Sequence, residues 1–245
     1  MRRRDILRGL PLFLAAAPAW SRVAGACSLA ADDDEPKART GQAESEGPTI
    51  PLFNGRNLAG WTTYIDHKDK SNPRSDPRGV FRVEGGVIQV SGEEFGLITT
   101  EKEYANYHLT VEFKWGEKRW PPRQTAPRDS GILIHCVGPE KIWTKSIECQ
   151  IQEHDCGDFW LVDGTTITID GKIERHYHKK RVDAEKKADW NTVEVVCLNG
   201  HITNIVNGIV VNRGDRASVV RGKIGLQSEG AEIFYRKVEI RMLPV

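Results

Sequence analysis

The chain has no excess of charge of either sign. Lysine and arginine number 35 and aspartate and glutamate 34, so the formal net charge is +1. The two signs are interspersed along the sequence. Nucleic-acid-binding proteins and proteins that bind anionic membranes usually carry a concentrated basic patch. Neither class of partner is therefore expected.

Cysteine is scarce, and no two cysteines are spaced as a CxxC pair. The sequence has five cysteines, and structural zinc sites usually draw on such pairs, so a structural zinc site is not expected. Four of them fall in the strand-rich part of the chain: Cys136, Cys149, Cys156 and Cys197. In an exported protein these four permit two disulfides, and at least one is expected. Cys149 and Cys197 lie on apolar strand faces, so buried free thiols are the alternative.

Long hydrophobic runs are absent except near the N-terminus. Arg2, Arg3 and Arg4 precede an apolar run at 10–20 and then small residues. This pattern predicts an export signal at 1–30, either twin-arginine or plain secretory, and hence a periplasmic or extracellular protein. Cys27 is a weak candidate for lipid attachment. The run is too short to span a membrane, so no transmembrane segment is expected in the mature chain.

Residues 31–48 form an acidic stretch that is almost free of large apolar side chains, which is typical of a disordered linker. The remaining residues, 49–245, are enough for one sizeable core. Within them the charge-rich segment 172–189 predicts either a short helix or a lid loop. Its histidines, His176 and His178, are more typical of a solvated segment than of a site.

Beyond the linker, no amphipathic pattern reaches three helical turns. Short runs that alternate between apolar and polar residues recur instead, separated by turns such as Asn199-Gly200 and Asn207-Gly208. The clearest run is 107–115, where Leu109, Val111 and Phe113 share one face. Strands with turn residues between them predict an all-β chain, folded as a two-sheet β-sandwich or jelly roll. The order of the strands does not follow from the sequence.

Two strand-like runs, 130–135 and 146–152, lie at the centre of the chain. In the second, Ile147 and Ile151 point one way, while Glu148, Gln150 and Gln152 point the other, because strand side chains alternate. His135 ends the first run. A carboxylate followed by two amides forms a hydrogen-bonding surface, which suits a ligand rich in hydroxyl groups.

Six motifs occur in an order that resembles the 3-keto-disaccharide hydrolase domain family. They are 52–61 (LFNGRNLAGW), 129–135 (DSGILIH), 147–152 (IECQIQ), 189–191 (DWN), 207–208 (NG) and 225–227 (GLQ). The resemblance covers about residues 50–243 and implies a concanavalin-like jelly roll. Two positions depart from the family pattern: His135 stands where the family often has arginine, and Glu229 where it often has histidine.

The resemblance implies an exported hydrolase that cleaves glycosidic bonds of 3-keto glycosides by removing the proton on C2 and eliminating the anomeric oxygen. This chemistry needs a base and a group that stabilises the enolate. Glu148 is the candidate base, and Lys114 or His135 the candidate for enolate stabilisation or protonation of the leaving oxygen. The candidate substrate-binding residues are Glu112, Gln150, Gln152 and Trp160. No cofactor is required.

Several alternatives remain at this point. Glu148 and Lys114 are also compatible with a cross-strand ion pair on a solvated face, and Trp160 with ordinary packing. A divalent metal is a further option, with ligands drawn from His135, Glu148, Glu153, His154 and Asp155. A non-catalytic carbohydrate-binding module on the same sandwich is the alternative function.

The strands at 107–115 and 146–152 would form one groove if they shared a sheet. Lys114, His135, Glu148 and Gln150 would then line it, and the loops 116–128 and 154–160 would flank it.

Overall fold

Strands are the only regular elements in the part of the chain that the computed structural model describes, which is residues 47–66, 71–186 and 188–244. The expected export signal lies outside the described residues, as does the expected linker up to residue 46. No helix in these ranges is long and apolar enough to cross a membrane. The absence of helices and the paired sheets confirm the prediction of an all-β sandwich.

The strands in chain order are β1 (Thr49–Pro51), β2 (Trp61–Ile65), β3 (Phe81–Glu84), β4 (Val87–Val90), β5 (Gly96–Thr100), β6 (Tyr107–Arg119), β7 (Asp129–Val137), β8 (Lys145–Gln152), β9 (Phe159–Val162), β10 (Ile167–Ile169), β11 (Lys172–Glu174), β12 (Tyr177–His178), β13 (Asn191–Leu198), β14 (His201–Val206), β15 (Ile209–Gly214), β16 (Lys223–Ser228) and β17 (Ala231–Met242).

Two antiparallel sheets make up the sandwich. Sheet 1 has the order β15-β14-β13-β6-β17-β4-β3, with β1 paired to β17, and sheet 2 has the order β12-β9-β8-β7-β16-β5-β2. The strands β10 and β11 form a separate hairpin. Leu109, Val111 and Phe113 of β6 belong to the same buried apolar cluster as Ile147 and Ile151 of β8. One face of each sheet therefore forms the core, as the alternation predicted.

The turns that join β13, β14 and β15 follow from their Asn-Gly pairs. Asn199 and Gly200 have φ of 49° and 80°, and Asn207 and Gly208 have φ of 49° and 80°. Two successive residues in the left-handed region define the tight hairpin turn whose twist matches that of the strands. These two turns fix the registers Leu198↔His201 and Val206↔Ile209.

The expected disulfide is absent. All four cysteines in the described ranges are free and buried. Cys149 and Cys197 belong to the main core, whereas Cys136 packs with Leu97 and Leu133 in a separate small cluster. Burial raises the pKa of each of these thiols. The alternative of buried thiols is the one that holds, because the strand pattern places these side chains in apolar surroundings.

Two local expectations differ from the structure. The charge-rich segment 172–189 contains the short strands β11 and β12 and no helix. A strand also occupies Lys223–Ser228, where none was predicted. Ile224 and Leu226 alternate with Lys223 and Gln227, but the run is short, and its glycine and serine are residues typical of turns.

Candidate functional site

The polar face of sheet 2 is built around β8. Glu148 and Gln150 are each only 4% exposed, although they point away from the core that holds Ile147 and Ile151. The neighbouring strands supply Asp129, which lies opposite Gln152 in the register, and Trp160, which lies opposite Glu148. The side chains expected to form a hydrogen-bonding surface are thus together on one face.

A cavity of about 490 Å³ opens on this face. Its volume lies within the range of small-molecule sites. The lining residues come from β7, β8, β9 and the segments between strands: Arg123, Asp129, Trp143, Glu148, Gln150, Gln152, Trp160, Leu161, Val162, Asp163, His176 and Glu229.

The floor of the cavity depends on a glycine. A Cβ atom on Gly131 would lie 1.9 Å from Oε1 of Glu148 and 2.2 Å from Oε1 of Gln227. Both distances are far below van der Waals contact, so the two side chains occupy the space that any larger residue at 131 would need. The glycine of the β7 motif is therefore required by the position of the Glu148 carboxyl group.

Three carboxyl groups meet at this floor. Burial, followed by the charges of Glu229 and Asp129, raises the pKa of Glu148 well above its ordinary value. Burial and then the charge of Asp129 raise the pKa of Glu229 to about 8. Burial raises the pKa of Asp129 to about 6, against the opposing charge of Arg123. Near pH 7 the Asp129 carboxyl group is the one most readily ionised, and Glu229 retains its proton.

This cluster makes the protein sensitive to high pH. A carboxyl group whose folded pKa is raised contributes stability below its unfolded pKa and loses it as the pH rises through the folded value. For Glu229 this window runs from about 4.5 to about 8. We expect Glu229→Gln to be more stable than the parent at pH 8.5, by on the order of 2–4 kcal/mol in the free energy of unfolding, with a much smaller gain at pH 5. Denaturant titration at both pH values measures the difference.

Glu153→Gln is the matched control for that measurement. Burial alone would raise the pKa of Glu153, but the Arg128 hydrogen bonds outweigh it and lower the pKa. The Glu153 substitution should therefore destabilise the protein at neutral pH. A Glu229→Gln variant that is less stable than the parent at pH 8.5 would show that Glu229 is stably ionised in its site.

Two buried polar atoms beside the site have no hydrogen-bond partner. They are the amide nitrogen and oxygen of Gln227, which is fully buried, whereas the carboxyl groups of Asp129 and Glu229 hydrogen-bond to each other. Leaving such atoms unpaired costs about 1–3 kcal/mol each. An unpaired buried amide beside three carboxyl groups is more typical of a functional site than of a core.

Arg123 supplies positive charge beside the carboxyl groups. Its guanidinium donates a hydrogen bond to Oδ2 of Asp129 and forms an ion pair with it. Backbone hydrogen bonds from Arg123 to Trp120, and from Trp120 to Gly230, fix the segment that carries it. The loop 116–128, expected to flank the site, begins later than predicted because β6 continues to Arg119.

Aromatic side chains form one wall of the cavity. The Trp160 ring meets the His176 ring edge-on, with centroids 5.1 Å apart, and the Tyr177 ring at 4.9 Å. Trp143, on the connection between β7 and β8, lines the same cavity. Trp160 is therefore part of the cavity wall and is not confined to core packing. His176, expected to be merely solvated, also lines it.

Lys114 and Glu112 do not lie in this site. The expectation that they share a groove with Glu148 is wrong, because β6 belongs to sheet 1 and β8 to sheet 2. Glu112 instead accepts a hydrogen bond of 2.5 Å from Arg236 of β17. The alternative of a Glu148–Lys114 ion pair fails for the same reason.

His135 does not line the cavity either. The backbone of His135 has a φ of 55° at the point where the register between β7 and β8 shifts. Its ring packs edge-on against the ring of Tyr107, with the two centroids 5.5 Å apart. Burial lowers the pKa of His135 to about 4. The bulge turns this side chain away from the face on which strict alternation would have placed it.

The candidate metal ligands are not brought together. In the described ranges no group of three or more histidine, cysteine, aspartate or glutamate side chains is arranged to hold a metal ion. Glu153 pairs with Arg128 at 2.6 Å, and Asp155 lies 3.8 Å from Lys180.

Several residues of the site were not predicted as such, among them Arg123, Asp129, Trp143, His176 and Glu229. Asp129 opens the β7 motif, and Glu229 stands at a position where the family pattern has another residue. Those motifs signalled the positions without indicating that the side chains meet.

Comparison with known proteins decides the family. A model of the 3-keto-alpha-glucoside-1,2-lyase-like domain matches residues 48–241. The chain belongs to this family. The match confirms the resemblance drawn from the six motifs, and membership supports a carbohydrate-active function. No curated protein matches this chain in sequence.

Solved structures similar to this lyase-like domain support the fold. A Parabacteroides distasonis protein proposed to be a glycosyl hydrolase has a TM-score of 0.55 at 22% identity, over 81% of this chain and 94% of that one. A Bacillus licheniformis beta-glucanase has a TM-score of 0.50 at 12% identity, over 82% and 100%. The potassium-bound Emp46p carbohydrate recognition domain has a TM-score of 0.52 at 11% identity, over 77% and 91%.

Proposed function

We propose that this protein is an enzyme that cleaves glycosidic bonds of 3-keto glycosides. The observation that carries the proposal is the buried Glu148 carboxyl group at the floor of the cavity, beside Asp129 and Glu229. Family membership points to the same class of substrate.

A ketone at C3 acidifies the proton on C2 of the sugar. A base removes that proton, the electron pair forms an enolate, and the bond between C1 and the glycosidic oxygen breaks as the aglycone leaves with a proton. Water then adds at C1 and a proton returns to C2, which yields the free 3-keto sugar. Each step needs a proton donor or acceptor at a fixed position.

Glu148 is the base in this scheme. Its raised pKa makes the ionised form of Glu148 a stronger base than an ordinary carboxylate, which suits the removal of a weakly acidic proton. Only the ionised form accepts the C2 proton, so kcat should rise with pH as Glu148 loses its own proton. Glu229, with its pKa raised to about 8, holds a proton near neutral pH and is the candidate donor to the leaving oxygen. Arg123 takes the role first assigned to Lys114 or His135, stabilising negative charge on the enolate oxygen.

The amide side chains orient the sugar. Gln150 and Gln152 line the cavity beside Glu148, and an amide both donates and accepts hydrogen bonds. Gln227 does not line the cavity; its fully buried amide lies beneath the floor, beside the Glu148 carboxyl group.

The function is tested by incubating the purified protein with 3-keto disaccharides and with their unoxidised parents. We expect release of monosaccharide from the keto compounds only, because the parents lack an acidic C2 proton. Equal cleavage of both would contradict the mechanism. Binding of the sugar without cleavage of either would favour the alternative, a non-catalytic carbohydrate-binding module.

We also propose that the protein is exported. This proposal rests on the signal-like sequence of residues 1–30. Mass spectrometry of the protein from fractionated cells tests it. A mature N-terminus near residue 27 in the exported fraction is expected, and a full-length chain confined to the cytoplasm would contradict it.

A further inference from the structure

The cavity has two chemically different ends. At the end of β8 marked by Gln152, the lining is polar and charged and includes Asp129 and Arg123. Toward the start of β8 the lining changes to Trp143, Trp160 and Val162. Glu148 lies between the two ends, directly opposite Trp160 in the register.

Trp143 is held in an exposed position by its surroundings. Its side chain is 47% exposed, although Ile142 and Thr144 on either side are buried. The same connection is tied to the turn after β9 by an ion pair of 2.9 Å between Lys141 and Asp163. An aromatic side chain turned outward from an anchored segment and beside a cavity is typical of a contact surface for a ligand.

The aromatic end offers few partners for hydroxyl groups. Asp163 is the carboxylate that lines it, and this group is already paired with Lys141. A second sugar in this position would find the His176 ring and the paired Asp163 carboxylate as polar partners, and it would lose most of its hydrogen bonds to water without replacing them. A flat apolar ring would gain contact with the indole rings at no such cost.

We propose that Trp143 and Trp160 form the subsite for the leaving group and that this subsite selects 3-keto glycosides with an aromatic aglycone. This inference rests on the proposed function, because it places the bond to be broken beside Glu148. The sugar then occupies the polar end, near Asp129 and Arg123, and the aglycone lies against the indole rings.

The test measures binding, so that its outcome does not depend on turnover. Calorimetry with the full-length Glu148→Gln protein compares phenyl, methyl and disaccharide 3-keto glucosides of one anomer. Adding Trp143→Ala should weaken binding of the phenyl glucoside by about tenfold and that of the methyl glucoside by less than about twofold. Trp143→Phe keeps a ring and should restore most of the loss.

Trp190→Ala is the matched control. The Trp190 ring contacts Arg236, a residue of sheet 1, 4.2 Å from the ring centroid, and its loss should leave all three affinities unchanged. Equal weakening for the phenyl and methyl compounds would overturn the proposal, since Trp143 would then contact the keto sugar. A larger loss for the disaccharide than for the phenyl compound would overturn it in favour of a sugar in the subsite. If the proposed function fails instead, the parent protein binds these ligands and cleaves none of them.

Discussion

Glu148→Gln is expected to lower kcat for a 3-keto glycoside by about 10³-fold, because a positioned general base contributes roughly 10²–10⁴-fold. Glutamine keeps the shape of the side chain and its ability to bond a hydroxyl group, but it cannot accept the C2 proton. The dissociation constant of the substrate should therefore change by no more than about threefold, which is less than the loss of one typical hydrogen bond. Single-turnover kinetics and calorimetry on the same preparation separate the two quantities.

Glu112→Gln is the control for this substitution. It makes the same chemical change on a strand of the other sheet, where Glu112 pairs with Arg236. Its kcat should equal that of the parent. If Glu148→Gln retains the parental kcat, Glu148 is not the base, and Asp129 becomes the group to test.

Gly131→Ala is expected to lower kcat by about 10²-fold, the effect of an error of about 1 Å in the position of a reacting group. The new Cβ would lie 1.9 Å from Oε1 of Glu148 and 2.7 Å from its Cδ, so the carboxyl group must move. The loss of stability should be smaller than the loss of activity, because the clashing atoms are side-chain ends. Thermal unfolding and kinetics on the same variant test both statements.

Gly225→Ala provides the comparison for the glycine. Gly225 lies in β16, and its added Cβ would meet Cδ1 of Leu97 at 2.9 Å and Cβ of Leu133 at 3.3 Å. This variant should lose stability with little change in kcat. Gly131→Ala with unaltered kcat would mean that the position of Glu148 is not critical.

The sandwich could be predicted because its signals are local. Alternation along β6 and β8 assigned the core face of each strand, and Asn-Gly pairs marked the hairpins. β16 was missed because its alternation is short and contains Gly225, a residue type that is depleted in strands. Its two faces are both buried, with Leu226 in the core and Gln227 beside Glu148.

The site residues that lie on β8 could be predicted from the sequence, but the contacts between residues of different strands could not. Glu148, Gln150 and Gln152 follow from the period of two along a single strand. Whether Lys114 lies near Glu148 depends on which strands pair, and that depends on long-range contacts. The same limit concealed the meeting of Asp129 with Glu229, which are a hundred positions apart in the chain.

The position of His135 illustrates a different limit. Strict alternation from Gly131 and Leu133 would place this side chain on the polar face, but the register of β7 against β8 shifts between Ile134 and Val137. The bulge puts His135 at a positive φ. Nothing in the residue types of this run signals the shift.

The buried polar groups of the site lower the stability of the folded protein, and a function would explain why they are present. Three carboxyl groups with raised pKa values and an unpartnered buried amide at Gln227 all destabilise the folded protein. A fold selected for stability alone would replace them with apolar side chains. Such a cluster is expected where a ligand supplies the missing hydrogen bonds.

Removal of the C2 proton is the central claim, and an isotope label at that position tests it most directly. A 3-keto glycoside carrying deuterium at C2 is incubated with the parent protein in ordinary water, with Glu148→Gln and a protein-free sample measuring the spontaneous exchange. The account predicts that the labelled substrate is turned over more slowly than the unlabelled one. It also predicts that the released 3-keto sugar loses its deuterium faster with the parent protein than in either control sample. Turnover at the same rate for both isotopes, with deuterium retained in the product, would contradict it.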